Sequence, residues 1–191
     1  MLNQNRSQRI KKLAIAGMLV SIGILIPMIM PIRIMVEPMS FTLASHLVIF
    51  IAMFISPTMA IAVAVGTTIG FQFGGFPPVI VLRAASHIIF AVVGSLYLHR
   101  IARKPMSYVK IRIFSLVIAI IHGISEVVVV SVFFFGGNIN PLTLEQGFFR
   151  GVILLVGVGT LVHSMVDFEI ARLVILPLKR QRNLAALFAK A

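Results

Sequence analysis

The chain has no cysteine, which excludes a disulfide framework, a thiolate nucleophile and any cysteine-ligated metal or iron–sulfur cluster. Tryptophan is absent and only five residues are acidic. No GxxxxGK[ST] loop occurs, so the chain has no phosphate cradle with which to hydrolyse ATP. It also has no GxSxG elbow, no HExxH pair and no intramembrane aspartate pair, which leaves catalysis without a nucleophile, base or metal set. Charge is scarce as well: 12% of the 191 residues are charged and 59% are hydrophobic, against about 25% and roughly 45–50% in a soluble domain. A water-soluble globule is excluded. The net charge of +12 does not point to nucleic acid, because the basic residues stand between long apolar runs.

What is present is a series of membrane-length segments. Leu13 to Met30 is uncharged, follows Arg6, Arg9, Lys11 and Lys12, and lacks a small-residue cleavage site, so it reads as an anchored helix. Between Glu37 and Arg83 there are 45 uncharged positions, more than twice the roughly 20 that one span requires. Proline disfavours helical geometry in the residue before it and suits a helix start, so Ser56-Pro57 divides this stretch. The spans expected are 13–30, 41–56, 58–73, 79–99, 113–135 and 149–176, the last stopped near Pro177. The fold class is an all-α integral membrane protein with six transmembrane helices in one transmembrane domain, 1–191. Thirteen basic residues fall at the termini and in the Arg100 to Arg112 loop, and two, Arg33 and Arg150, on the opposite loops. The positive-inside rule therefore places both termini in the cytoplasm.

Ionisable groups inside spans are costly and mark function by default. Counted inward at about 1.5 Å per residue, Arg83 and His46 lie near the outer surface, with His87 and Glu126 about a turn deeper. Arg83 and His87 are four residues apart, as are His122 and Glu126, so each pair shares a helix face. These residues suit an outward-facing binding site, with Arg83 anchoring an anion and Glu126 and the imidazoles pairing with ring nitrogens or hydroxyls. The other reading is an internal Arg83–Glu126 ion pair flanked by packed histidines. The same count puts His122, His163 and Asp167 in a separate, deeper layer that reads as packing, and Glu169 with Arg172 as a local ion pair. Gly66, Gly70 and Gly74 form a GxxxGxxxG run that favours close helix packing within the chain. Ala14, Gly17 and Ser21 form a small-residue stripe on the first span.

Three segments carry a family resemblance: Pro31 to His46, Ile49 to Pro57, and Val81-Leu82-Arg83-Ala84-Ala85-Ser86-His87. They resemble the substrate-binding S component of an energy-coupling factor (ECF) transporter, and the likeness covers essentially the whole chain. The resemblance implies capture of a vitamin near the outer face and docking on a transmembrane coupling subunit that carries two ATPase subunits. ATP is then used by the partners, and the chain itself needs no cofactor. Membrane lipid is its other partner, and nucleic acid is not one. Carried over by position, the substrate-binding residues are Arg33, Glu37, Ser40, His46, Arg83, His87, Glu126 and Asn138. Family docking uses an AxxxA stripe on the first helix, where this sequence offers Ala14, Gly17 and Ser21. Metal-specific relatives carry histidine after the initiator methionine, whereas Leu2 stands here, which argues against nickel or cobalt as cargo. The match is to members assigned to niacin and to the hydroxymethylpyrimidine or pyridoxine type. A guanidinium in the site favours a carboxylate such as nicotinate. An Arg83–Glu126 pair that neutralises itself favours a ring bearing hydroxyl and amino groups. The alternative is a self-contained secondary transporter or channel for a small solute, although such proteins show two related halves and the halves here differ.

Overall fold

The computed structural model of the chain describes residues 2–36, 38–101, 106–185 and 187–188. It is a bundle of helices with one small hairpin. Helix α1, Leu2–Ile29, begins in the basic N-terminal segment and contains Pro27 in its last turn. Ile10, Leu13, Met18, Ile22 and Leu25 of α1 are exposed, as suits a helix that meets lipid. The chain then turns back in an antiparallel hairpin, β1 (Arg33–Val36) and β2 (Met39–Thr42), with Arg33 opposite Thr42 and Met35 opposite Ser40.

Helix α2 covers Leu47–Ile55, and Val48 to Ile55 are all buried. A helix that is apolar on every side belongs in a core, and α2 packs against α1, α3, α4 and α7. At nine residues it is about 14 Å long, roughly half of a hydrocarbon layer. The expected second span, 41–56, is thus corrected: its first residues are strand and turn. Ser56 then caps α3 (Pro57–Phe73) by accepting from the Met59 amide at 3.1 Å, with Pro57 in the first helical position.

Helix α4 is Pro78–Leu96 and continues in a wide, π-type turn through Ile101. Helix α5 is Tyr108–Phe135, so Lys110 and Arg112 stand on a helix where a basic loop was expected. The loop expected between Gly136 and Gly147 also contains helix: Asn140 caps α6 (Pro141–Phe148), and Gly147, at φ 76°, turns the chain into a second wide-turn segment, Phe149–Val158. Helix α7, Gly159–Arg180, follows directly. It runs past Pro177, because a proline near a helix end forfeits one ladder bond without ending the helix. Among the described residues four helices reach span length and apolarity, Arg9–Ile29, Pro78–Arg100, Tyr108–Phe135 and Pro141–Arg180, while Pro57–Phe73 is shorter.

The main core gathers Phe50, Met53, Phe90, Phe114, Ile118 and Phe168 around α2. A smaller cluster of Val79, Ile80, Val130, Val152 and Val156 packs toward the hairpin end. The glycine run packs inside the chain as expected: a Cβ on Gly66 meets Val20, and one on Gly70 meets Ile24. At Gly17, by contrast, nothing lies within 4 Å of such a carbon. Gly70→Leu is therefore expected to destabilise the bundle by about 1–3 kcal/mol through overpacking, whereas Gly17→Leu stays within about 0.5 kcal/mol of the parent, as surface substitutions do. The unfolding midpoint of the detergent-solubilised protein checks both.

Candidate functional site

A helix that starts inside a bundle leaves its first amides without partners. The start of α2 is held by a carboxylate from another helix. Asp167, on α7 and 0% exposed, accepts the Ala44 amide on Oδ1 at 2.7 Å and the His46 amide on Oδ2 at 2.9 Å. Its Oδ2 also lies 3.0 Å from His46 Nδ1 and 3.3 Å from His163 Nε2. Ala44 adopts φ 64°, the left-handed region, in the turn that aims these amides. Ser45 Oγ adds contacts to His163 Nε2 at 3.1 Å and to Asp167. Phe41 of β2 stacks on His163 with centroids 5.0 Å apart and lies against Gly159, where no side chain intervenes.

The second centre is Glu126 on α5, 2% exposed. Arg83, on α4, donates from Nη2 to Glu126 Oε2 at 2.7 Å, and Thr160 Oγ1 donates to the same oxygen. Arg83 Nη1 donates to the Pro38 carbonyl in the hairpin turn. Arg83 Nε is buried without a hydrogen-bond partner among the described residues. Glu126 Oε1 faces two imidazoles, His87 Nε2 at 3.2 Å and His122 Nε2 at 3.4 Å. The His122 contact is an ion-pair distance without hydrogen-bond geometry, since neither ring nitrogen of His122 has a hydrogen-bond partner among the described residues. His46 joins the two centres, with its ring centroid 4.7 Å from that of His87, 4.6 Å from His122 and 5.1 Å from His163.

Above these groups a cavity of about 40 Å³ opens between the hairpin and the helices, room for about three water molecules. Ser40, His46, Arg83, His87 and Glu126 supply its polar wall, and Phe71, Phe76 and Ile80 part of its apolar wall. Phe71 and Phe76 stack at 4.7 Å. A buried guanidinium and carboxylate beside an aromatic pair can hold a small planar polar molecule, with the ring against the phenyl faces and its substituents on the charged groups.

A niacin transporter, NiaX, from Lactococcus lactis subsp. cremoris (strain MG1363) is 41% identical to the chain over 170 residues, 89% of this chain and 75% of that relative. No family model and no solved structure matches the chain. The chain belongs to the S-component family of ECF vitamin transporters. It is a multi-pass protein of the cell membrane with a small-molecule vitamin as its substrate.

This S component brings together Ser40, His46, Arg83, His87 and Glu126 of the sequence-expected residues. Arg33 is exposed at the start of β1. Asn138 is turned away: exposed, it donates to its neighbour Gly136 and lines a separate outer hollow with Pro38, Pro77 and Phe133. Glu37 lies outside the described residues. Ala14, Gly17 and Ser21 are exposed on α1, with Ser21 Oγ bonded back to Gly17 O. The two expected layers are one. His46 touches Asp167, and His122 flanks Glu126, because α2 starts at Leu47 rather than at the hairpin and so carries His46 deeper than a count from Phe41 allows. Thr160, Ser45 and the Pro38 carbonyl were missed, since hydroxyls and carbonyls carry no charge signal. The local Glu169–Arg172 pair forms at 3.0 Å and is joined by Arg112 at 2.7 Å.

Asp167→Ala strands two buried amides, each costing about 1–3 kcal/mol, so a loss of about 3 kcal/mol in unfolding free energy is expected, with Asp167→Asn intermediate because one oxygen still accepts. A double-mutant cycle of Arg83→Met with Glu126→Gln is expected to give a coupling energy of about 1.5–3 kcal/mol, within the range for contacting residues. Both are read from detergent or denaturant unfolding.

Proposed function

We propose that this S component captures nicotinate at the hairpin end of the bundle and passes it inward when a coupling subunit bearing two ATPases reorients the protein. Both termini face the cytoplasm in this reading. The observation that carries it is the buried Arg83 guanidinium on the cavity wall, in a chain 41% identical to a niacin transporter. Arg83 Nη1 is bonded to the Pro38 carbonyl, and Nε has no hydrogen-bond partner among the described residues. Lifting the hairpin releases Pro38 and frees a donor, and a ligand carboxylate takes its place through a charge-assisted hydrogen bond. The pyridine ring then lies against Phe71 and Phe76, with its nitrogen toward the imidazoles. The cavity, at about 40 Å³, has room for about three waters, and in this reading the hairpin moves to admit the ring. Gly75 and Gly137, both at positive φ in the outer connections, permit adjustment there. Arg33, Glu37 and Asn138 are rim groups in this reading. The partners supply the energy in this reading, which agrees with a sequence that carries no phosphate-binding loop, and they dock on the open α1 stripe of Ala14, Gly17 and Ser21.

A hydroxymethylpyrimidine or pyridoxine ligand is the second reading. It draws on the Arg83–Glu126 bond, which neutralises the guanidinium. Calorimetric titration of the purified protein with nicotinate, nicotinamide, pyridoxine and hydroxymethylpyrimidine separates the two. Nicotinate is expected to bind with sub-micromolar Kd, about 8 kcal/mol or more, and nicotinamide at least tenfold more weakly. Tight binding of a neutral ring with none of nicotinate transfers the assignment to the second reading. Arg83→Ala is expected to weaken nicotinate binding by at least about 1.5 kcal/mol, while Arg33→Ala changes it less than twofold. Gly17→Leu is expected to retain binding and lose uptake by cells, and lost binding in that variant overturns the separation of capture from docking.

A further inference from the structure

Polar groups in the middle of an apolar bundle are expensive unless something satisfies them. Three imidazoles and a carboxylate converge beneath the cavity. The donor atoms of His46, His87, His122 and Glu126 all lie within 4.8 Å of one another, and all four residues are buried. His87 Nε2 and His122 Nε2 stand 3.2 and 3.4 Å from Glu126 Oε1, matching the roughly 3.3 Å edge between ligands of a tetrahedral ion with bonds of about 2.0–2.1 Å. His122 is 0% exposed, yet neither of its ring nitrogens has a hydrogen-bond partner among the described residues. A neutral imidazole presents one N–H and one lone pair, and packing alone gives no reason to bury Nδ1 unmet and Nε2 with only its 3.4 Å contact to Glu126 Oε1.

The surrounding groups are arranged as supports for ligands. His46 Nδ1 sits 3.0 Å from Asp167 Oδ2. Donation there fixes the tautomer and leaves the Nε2 lone pair directed elsewhere, the carboxylate–histidine coupling that orients metal-binding imidazoles. Arg83 and Thr160 both hold Glu126 Oε2, which leaves Oε1 for another partner. With neutral histidines, the buried formal charges of Arg83, Glu126 and Asp167 sum to minus one. A divalent cation reverses that sign and suits the cavity to an anion.

We propose that His46, His87, His122 and Glu126 bind one divalent transition-metal cation of the zinc type. Imidazole-rich sets select Zn²⁺, Co²⁺ or Ni²⁺ over Ca²⁺ and Mg²⁺, which require oxygen ligands. Three of the four residues, His46, His87 and Glu126, line the cavity, so the ion reaches the site from the hairpin side and keeps a face open there. A ligand carboxylate on that open face rests on the nicotinate reading; the metal site itself does not.

The test uses full-length protein carrying an affinity tag without histidine, stripped with chelator and titrated with Co²⁺. Expected are one equivalent per chain, the intense visible absorption of four- or five-coordinate cobalt, displacement by Zn²⁺ and a raised unfolding midpoint. His122→Ala and His87→Gln are each expected to weaken Co²⁺ binding at least tenfold, with Glu145→Gln, at an exposed carboxylate on α6, unchanged. Should His122→Ala fail to fold, His87→Gln and the midpoint shift of the parent protein still decide. A weak, six-coordinate spectrum, no midpoint shift, or equal uptake by parent and His87→Gln overturns the site. Nicotinate binding to the stripped protein reads the vitamin assignment separately: vitamin bound without metal uptake overturns the metal site alone, and metal uptake without vitamin binding supports it.

Discussion

The structure depends on one carboxylate accepting the amides of the turn that leads into a helix beginning inside the bundle. Helix α2 is too short to cross a membrane, and its first turn opens among apolar side chains where water cannot supply acceptors. Asp167 reaches across from α7 and takes the amides of Ala44 and His46, in the turn that leads into α2. Negative charge at a helix N-terminus is favoured by the peptide dipoles as well as by the hydrogen bonds. This contact seats the chain after the hairpin, sets His46 at cluster depth, and thereby brings together side chains from α2, α4, α5 and α7.

A second carboxylate holds the opposite side. Glu126 joins α4 to α5 through Arg83 and reaches the start of α7 through Thr160. The wide-turn segment Phe149–Val158 shifts the register of the residues that follow, and such segments recur at functional positions. Arg83 is shared between this carboxylate and the Pro38 carbonyl of the hairpin, so a single guanidinium ties the cavity floor to its cover. In the nicotinate reading, the incoming carboxylate competes with the bond to the neutral carbonyl and leaves the ion pair in place.

Much of this was legible in the residues. Long uncharged runs require helices, because only an internally bonded backbone survives in lipid. The Ser56-Pro57 break, the glycine run on α3 and the Glu169–Arg172 pair are local consequences of proline geometry, missing side chains and helical spacing, and they form as read. Arg83, His87 and Glu126 stood out because charge inside an apolar span has few explanations. The reading erred where depth was inferred by counting. It treated 41–56 as one helix and so set His46 apart from Asp167.

The sequence by itself determined that this is a membrane protein of apolar helices, which faces of α4 and α5 carry polar groups, and the family to which the chain belongs, since composition, period and motif are local properties. Tertiary structure alone decided that the hairpin and turn replace the first part of the second span, that Asp167 caps α2, and that four histidines from four segments meet. Those contacts join residues more than a hundred positions apart in some cases, and no local preference encodes which carboxylate will satisfy which amide. It is settled by the requirement that every buried donor find an acceptor once the helices have packed.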